Sequence, residues 1–302
     1  MPYLFLFFSV LCYSSSSISG KYFNRKNEKN DVSSYYNLFQ ALVSFFTWGV
    51  LAVISGGFNV NILPYSLGFA FFISIWCLSL IRALKTGSAS VTSLFLNFSN
   101  IIVSVYGVVF WNNKLSLFCI LGLVFAVVSL VLCICGDSDK KSNQWQNSEC
   151  QLNDGKRSGF SVRWLIYCFL VMFANSGCAI VQREQQIAFN YEFGNLCMAF
   201  AAFFSFIFFV IIFLLRKDKT QIPEKGTLVF PVVSGVLNVG LNFFVILLAP
   251  SNLSPSFIYP TIGIGGLVLV ILFSRIVFKE KITPIKLAGL IIGLIATALL
   301  SI

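Results

Sequence analysis

Residues 193–215 read FGNLCMAFAAFFSFIFFVIIFLL and contain no charged side chain. Since an α-helix rises about 1.5 Å per residue, a run of this length crosses the ~30 Å hydrocarbon layer of a bilayer. The whole chain shares this character, because 57% of its 302 residues are apolar and 11% are charged, with a mean hydropathy of +0.86. Soluble domains carry roughly a quarter charged residues, so the composition indicates an integral membrane protein.

Apolar runs long enough to span a bilayer occur ten times along the chain. Long uninterrupted runs favour helices, whereas the strands of a membrane barrel alternate apolar and polar positions. We therefore predict an all-α integral membrane protein with ten transmembrane helices. The predicted spans are Pro2–Ser19, Tyr35–Ile54, Pro64–Ile81, Ser88–Trp111, Leu115–Cys135, Val162–Val181, Phe193–Leu215, Thr227–Ala249, Pro255–Val277 and Ile282–Ile302.

The basic residues are distributed unevenly between the two sides that alternating spans define. Nineteen of the 21 lie in odd-numbered connectors, and only Lys114 and Arg183 lie on the other side. Because cytoplasmic loops are enriched in lysine and arginine, this bias predicts a multi-pass protein of the cytoplasmic (inner) membrane with both termini extracytoplasmic. The formal charge of +10 is spread over short connectors and forms no basic face on a domain, so no nucleic-acid partner is expected.

The predicted spans divide into two halves of five. A polar cytoplasmic linker, 136–161, separates a first repeat, 1–135, from a second repeat, 162–302. Shifting the sequence by 167 residues lays Trp111–Ser116 over Phe278–Thr283, and matching connectors of the two halves carry opposite basic content. Halves of inverted topology are a common plan of secondary transporters. The sequence therefore predicts two inverted five-helix repeats.

Three segments of the chain carry a family resemblance: Arg82–Val91, Ser256–Pro260, and the turn Phe278–Thr283 before a last helix that contains Gly289. They are similar to EamA-type members of the drug/metabolite transporter superfamily, and the similarity spans essentially the whole chain. The resemblance implies ten helices in two inverted five-helix repeats, with spans three, four, eight and nine near a central cavity. It also implies transport of small metabolites, amino acids or drugs.

Polar side chains inside the spans are candidates for the cavity lining, because each needs a hydrogen-bond partner away from lipid. Spans four and eight each carry a stripe at helical spacing, which places its members on one face. An equally open interpretation is that these side chains bond to a neighbouring helix and contact no solute. The candidates are Ser93, Asn97, Asn100 and Ser104 in span four, Ser234, Asn238 and Asn242 in span eight, and Trp76, Asn175 and Tyr259 elsewhere.

Weaker signals accompany these stripes. Gln182 is a further candidate, and the serine run 14–17 either faces the cavity or bonds back to its own helix. In span nine, the proline frees a backbone carbonyl and the glycines allow close helix approach. We predict a hinge and packing element there, formed by Pro260, Gly263, Gly265 and Gly266.

The titratable residues exclude several chemistries. Histidine is absent, and the eleven carboxylates lie in connectors or at helix ends. We therefore expect no catalytic residues, no metal site and no cofactor, and the chain is not expected to be an enzyme. Proton coupling through a buried carboxylate is disfavoured, as is a fully anionic solute, because no basic residue is expected in the middle of the membrane.

These observations favour a secondary transporter that moves a small organic metabolite, amino acid or drug-like solute by alternating access. One alternative is a non-transporting membrane scaffold or sensor. Another is a membrane-embedded transferase, which would need clustered His, Asp or Glu at the interface. The expected partners are a small-molecule substrate and membrane lipid, and pairing of two copies into a homodimer is left open.

Overall fold

The computed structural model describes residues 2–27, 32–87, 89–111, 162–215, 222–251, 253, 255–277 and 283–299, together with 117–132 except 119, 123, 126 and 130. Every α-helix and 3₁₀ turn with assigned bounds falls in this part of the chain, which contains no strand. The predicted linker 136–161 lies outside the described residues.

The helices follow one another closely along the chain. Helices α1 to α4 comprise Pro2–Lys26, Ser33–Ser55, Leu63–Thr86 and Ala89–Phe110, and a 3₁₀ turn at Val60–Ile62 precedes α3. Helix α5 is described over Ile120–Ser129. Helices α6 to α10 comprise Val162–Ala188, Gly194–Leu215, Val229–Leu248, Pro255–Ile276 and Pro284–Leu299.

Two helices continue beyond the spans that the sequence predicts. Helix α1 ends at Lys26 rather than Ser19, and α6 ends at Ala188 rather than Val181. Residues 182–188 contain no glycine or proline and are mostly strong helix formers, so the helix continues through its charged positions. Arg183, which the sequence analysis places on the charge-poor side, therefore lies in the last turns of α6.

The outer surface of the bundle is apolar. Among the described residues, six helices are long and apolar enough to cross a membrane: Pro2–Lys26, Ser33–Ser55, Val60–Thr86, Val162–Ala188, Gly194–Leu215 and Val229–Leu248. Large apolar side chains face outward, including Val53, which is 82% exposed, and Leu215, which is 75% exposed. Such a surface is stable against lipid and not against water. The chain is a multi-pass helical membrane protein.

The most extensive packing joins helices of the first half to helices of the second. Helix α1 lies along α8 and α9, α2 along α7 and α8, α3 along α6 and α7, and α4 along α6 and α9. Helices that are consecutive in the chain, such as α2 and α3 or α7 and α8, contact each other far less. Each half therefore completes its packing only against the other.

This packing pattern is preserved when each helix of the first half is exchanged with the helix five places later. The α1–α8 contact becomes α6–α3, α2–α8 becomes α7–α3, and α4–α6 becomes α9–α1. Several smaller contacts break the pattern, and the most extensive of them involves α1. Helix α1 also packs against α3, whereas α6 and α8 make no comparable contact among the described residues.

The helix ends that carry most of the basic residues meet at one end of the bundle. There the Lys21 ammonium donates to the carbonyl of Leu84 at 3.1 Å, joining the ends of α1 and α3. At the opposite end, the Asn195 amide of α7 donates to the Ser55 hydroxyl of α2 at 2.6 Å. We call these the basic end and the charge-poor end.

Candidate solute cavity

A cavity of about 130 Å³ lies inside the bundle, with room for roughly ten water molecules. Helices α3, α4, α8 and α9 line it, as the resemblance implies, and α1 and α6 contribute as well. A smaller cavity of about 40 Å³ adjoins it beside α2 and α7 and shares Asn238 and Asn242 with it. The wall of the main cavity therefore draws on six helices.

The cavity extends from the middle of the bundle toward the charge-poor end. Helix α8 lines it with residues of its second half, up to Val245, and α9 with residues of its first turns, from Tyr259 onward. Toward the basic end, a core that includes Phe95, Trp164 and Leu267 fills the bundle. A remaining gap near Ser234 measures about 10 Å³, space for at most one water. The cavity is thus closed toward the basic end.

Three buried polar groups in the wall lack hydrogen-bond partners in the described structure. They are the indole Nε1 of Trp76, the amide Oδ1 of Asn97 and the amide Nε2 of Gln182. These residues are 8%, 2% and 6% exposed, respectively. Leaving a buried polar group unpaired costs about 1–3 kcal/mol. A water or solute that bonds to these groups would therefore be stabilised in the cavity.

Other bonds hold the amides of the wall in place. The Asn97 Nδ2 group donates to the Ser93 carbonyl at 2.8 Å, and Asn242 Nδ2 donates to the Asn238 carbonyl at 2.9 Å. Across the α4–α6 interface, Asn175 Nδ2 donates to the Ser99 hydroxyl at 2.7 Å. Because one side of each amide is fixed to backbone or to a neighbouring helix, the wall presents its polar groups in a defined orientation.

Twelve of the twenty wall residues form six pairs that are related by one of two sequence offsets between the halves. Helices α1 and α6 end 162 residues apart, at Lys26 and Ala188, whereas α4 and α9 begin 166 residues apart, at Ala89 and Pro255. Helix α3 leads directly into α4 and takes the same offset of 166. Both members of each resulting pair line the cavity: Tyr13 and Asn175, Ser16 and Cys178, Ser17 and Ala179, Trp76 and Asn242, Leu96 and Ile262, and Asn97 and Gly263.

The structure brings most of the predicted cavity residues together. Those in the wall are Trp76, Asn97, Asn175, Asn238, Asn242 and Tyr259. Ser93 is buried one turn from Asn97 toward the basic end, outside the wall. The Ser234 hydroxyl is 2.8 Å from that of Ser16, beside the 10 Å³ gap. The side chains of Asn100 and Ser104 lie outside the described residues.

The residues of the predicted hinge and packing element lie in two different environments. Gly263 lines the cavity. Gly265 lies against the Val10 side chain and Gly266 against the Tyr13 ring, with no space for a Cβ atom at Gly266. These two glycines allow α9 to approach α1 closely. The α9 backbone stays helical through Pro260, and its side chain lies outside the described part.

The polar stripes of the sequence do not include several residues of the wall. Ser16 and Ser17 belong to the serine run and line the wall, as does Gln182. Tyr13 and Ser99 also line the wall, yet neither belongs to a polar stripe. The one available signal for Tyr13 was its position directly before the serine run.

Two charged residues lie near the cavity at the charge-poor end of α6. Arg183 directly follows the wall residue Gln182. Its guanidinium lies 5.6 Å from the centroid of the Tyr191 ring. The Glu184 carboxylate accepts a hydrogen bond from the indole of Trp111 at 2.9 Å, which ties the end of α4 to α6. The cavity therefore has a cation beside it.

A bundle of apolar helices enclosing a cavity with polar wall residues defines a helical membrane protein with an internal cavity. The model of the EamA-like transporter family matches residues 162–302. This family belongs to the drug/metabolite transporter superfamily, and the match confirms the resemblance over the second half of the chain.

Comparisons with individual proteins inform the fold alone. No curated protein matches the chain. One protein of known crystal structure is similar to this chain, with a TM-score of 0.61 and 11% sequence identity. The similarity covers 98% of this chain and 94% of that one. The two chains therefore share a fold along nearly their whole length.

Proposed function

We propose that the chain is a secondary transporter with ten membrane spans in two inverted five-helix halves, moving a small organic solute by alternating access. The observation that carries this proposal is the cavity, whose wall draws on helices of both halves and holds three buried polar groups without partners among the described residues. The exchange symmetry of the helix packing supports the inverted repeat. Such a repeat lets one central site open to either side.

The chemistry of the wall favours a polar solute that is uncharged or zwitterionic, such as an amino acid, a related metabolite or a drug-like molecule. The Trp76 indole is a donor, and the Asn97 and Gln182 amides offer an acceptor and a donor. The rings of Tyr13 and Tyr259 supply apolar and stacking surface. The cavity of about 130 Å³ is smaller than the ~300–1,000 Å³ of typical small-molecule sites, which favours a small solute.

The membrane orientation belongs to the same proposal. The basic residues gather at one end of the bundle, and this end is proposed to face the cytoplasm, with both termini outside. Tags at the two ends of the chain, probed in intact cells and in permeabilised cells, test the orientation. Both tags should react with antibody in intact cells, and two cytoplasmic tags would refute it.

Solute flux tests the function. Purified protein in sealed vesicles is assayed with radiolabelled amino acids, nucleosides and organic amines, as wild type and as Asn97→Leu. Asn61→Leu is the matched control, since Asn61 is exposed at the charge-poor end. Loss of the buried amide should lower flux of the transported solute about tenfold, and the control should leave it unchanged.

The other outcomes separate the alternatives. Equal flux in wild type and Asn97→Leu would remove the cavity from the transport path. Absence of flux for the whole panel, with the protein correctly folded, would favour the scaffold or sensor. A change in the covalent structure of the lipid or solute would instead indicate the transferase.

A further inference from the structure

Two side chains of α1 fasten its end to α3 at the basic end. The Lys21 ammonium donates to the carbonyls of Leu84 at 3.1 Å and Gly87 at 2.7 Å, where α3 ends. One turn later, Asn24 Nδ2 donates to the Ile81 carbonyl at 2.9 Å, and Asn24 is only 7% exposed. These bonds accompany the α1–α3 contact that breaks the exchange symmetry of the bundle.

The offset that pairs the wall residues also pairs these two side chains with residues of α6. Position 21 corresponds to position 183, and position 24 to position 186, so Lys21 matches Arg183 and Asn24 matches Gln186. A cation and an amide thus occur three residues apart at the end of both helices. By the offset of 166, the contacted part of α3 corresponds to the C-terminal end of α8, which is at Leu248, and to the residues that follow it.

The second pair is unfastened in this structure. Gln186 is 4% exposed, and its Nε2 has no partner among the described residues. Arg183 donates to the Gln186 Oε1 at 3.5 Å and lies over the Tyr191 ring. Among the described residues, α6 and α8 make no contact comparable to that of α1 with α3, and on this side the cavity extends toward the charge-poor end.

We propose that Lys21 with Asn24, and Arg183 with Gln186, are two alternating latches, one at each end of the bundle. The first pair closes the basic end by binding the last carbonyls of α3, as seen here. In the opposite state, Lys21 and Asn24 release α3, while Arg183 and Gln186 bind the last carbonyls of α8 and close the charge-poor end. This inference rests on the proposed alternating-access function and names the residues that bias its two states.

Amide hydrogen exchange followed by mass spectrometry tests the latches without any solute. Exchange in a locally opening segment scales with the population of the open form. In Lys21→Met, exchange at 81–87 should rise about tenfold, because bonds from a charged donor are lost. The decisive expectation is reciprocal: exchange at 245–251, at the far end, should fall. Arg183→Met should do the reverse, slowing exchange at 81–87.

Matched variants separate the latch from a local effect. Lys26→Met is the control, because Lys26 lies on the same helix end over the Phe230 ring and should change neither segment. Lys21→Arg keeps the charge and the donors, and should behave as wild type. If Lys21→Met loosens 81–87 while 245–251 exchanges as before, and Arg183→Met leaves 81–87 unaltered, Lys21 is only a local cap and the proposal is overturned. If the variants change exchange reciprocally but the protein shows no solute flux, the latches stand and the proposed transport is refuted. If the protein shows flux but the variants do not change exchange reciprocally, transport stands and the latches are refuted.

Discussion

The substitution Gly177→Ala tests the close packing of α3 against α6. Gly177 lies directly before the wall residue Cys178, and a Cβ atom placed on it would come within 2.5 Å of both Cε1 and Cγ of the Phe72 ring. Carbon atoms in good contact are about 3.5–4.0 Å apart. The new methyl group therefore overlaps the ring by roughly 1 Å.

The ring cannot avoid this overlap cheaply. Rotation of the ring about its own axis leaves Cγ in place, so relief requires a different Phe72 rotamer or a shift of one helix. Overpacking of this kind costs about 1–3 kcal/mol. For a large domain, 1 kcal/mol changes Tm by roughly 2–4 °C, so the variant should unfold on the order of 2–12 °C below wild type.

The assay is thermal unfolding of the detergent-solubilised protein at a fixed scan rate. Gly49→Ala is the matched control, because that glycine also lies within a helix and no described atom is within 4 Å of its Cβ position. Alanine there should be neutral or slightly stabilising, as expected from helix propensity. Phe72→Ala combined with Gly177→Ala should recover stability relative to the sum of the single changes. Equal Tm values for Gly177→Ala and Gly49→Ala would refute the close α3–α6 crossing.

Three further predictions concern single contacts. Glu184→Leu should lower the free energy of unfolding by roughly 1 kcal/mol, because the hydrogen bond from Trp111 is lost. Glu192→Leu, at an exposed position, is the control and should change it by less than about 0.5 kcal/mol. Thermal unfolding compares the two variants. Ser129→Ala removes the 2.6 Å bond to the Gly289 carbonyl between α5 and α10 and should destabilise by about 1 kcal/mol in the same assay; an unchanged Tm would count against that contact. Cys178 lines the cavity and Cys168 is fully buried, so mass spectrometry should show faster maleimide labelling of Cys178, with equal rates contradicting a water-filled cavity.

Composition and local pattern predict most of the helices, because an apolar run facing lipid has no alternative to helical structure. They predict helix ends less well at α1 and α6. Both helices continue past a basic residue, Lys21 or Arg183, because that charge is accommodated by neighbouring carbonyls or an aromatic ring. The end of a helix therefore cannot be placed at the first charged residue after an apolar run.

The cavity wall illustrates the same limit at the level of single residues. Asn97, Asn238 and Asn242 are identifiable because an amide in an apolar helix is conspicuous. Tyr13 is not, since its position in the wall depends on α1 packing between α8 and α9. Ser99 lies off the predicted stripe and enters the wall through its bond with Asn175 on another helix. Such contacts depend on tertiary packing, which the helical period of one segment does not encode.

The intermeshing of the two halves has a consequence for how the chain is made. Ser16 meets Ser234 across 218 intervening steps of the chain, and ribosomes add about 5–20 residues per second. The first helix therefore waits on the order of 10–45 s after its synthesis before its main neighbour, α8, exists. During that interval its serine-bearing face lies in the bilayer, or against the insertion machinery, without its final neighbours. The packing between the two halves can therefore form only after α1 has been inserted. An isolated N-terminal half would lack the helices against which it packs.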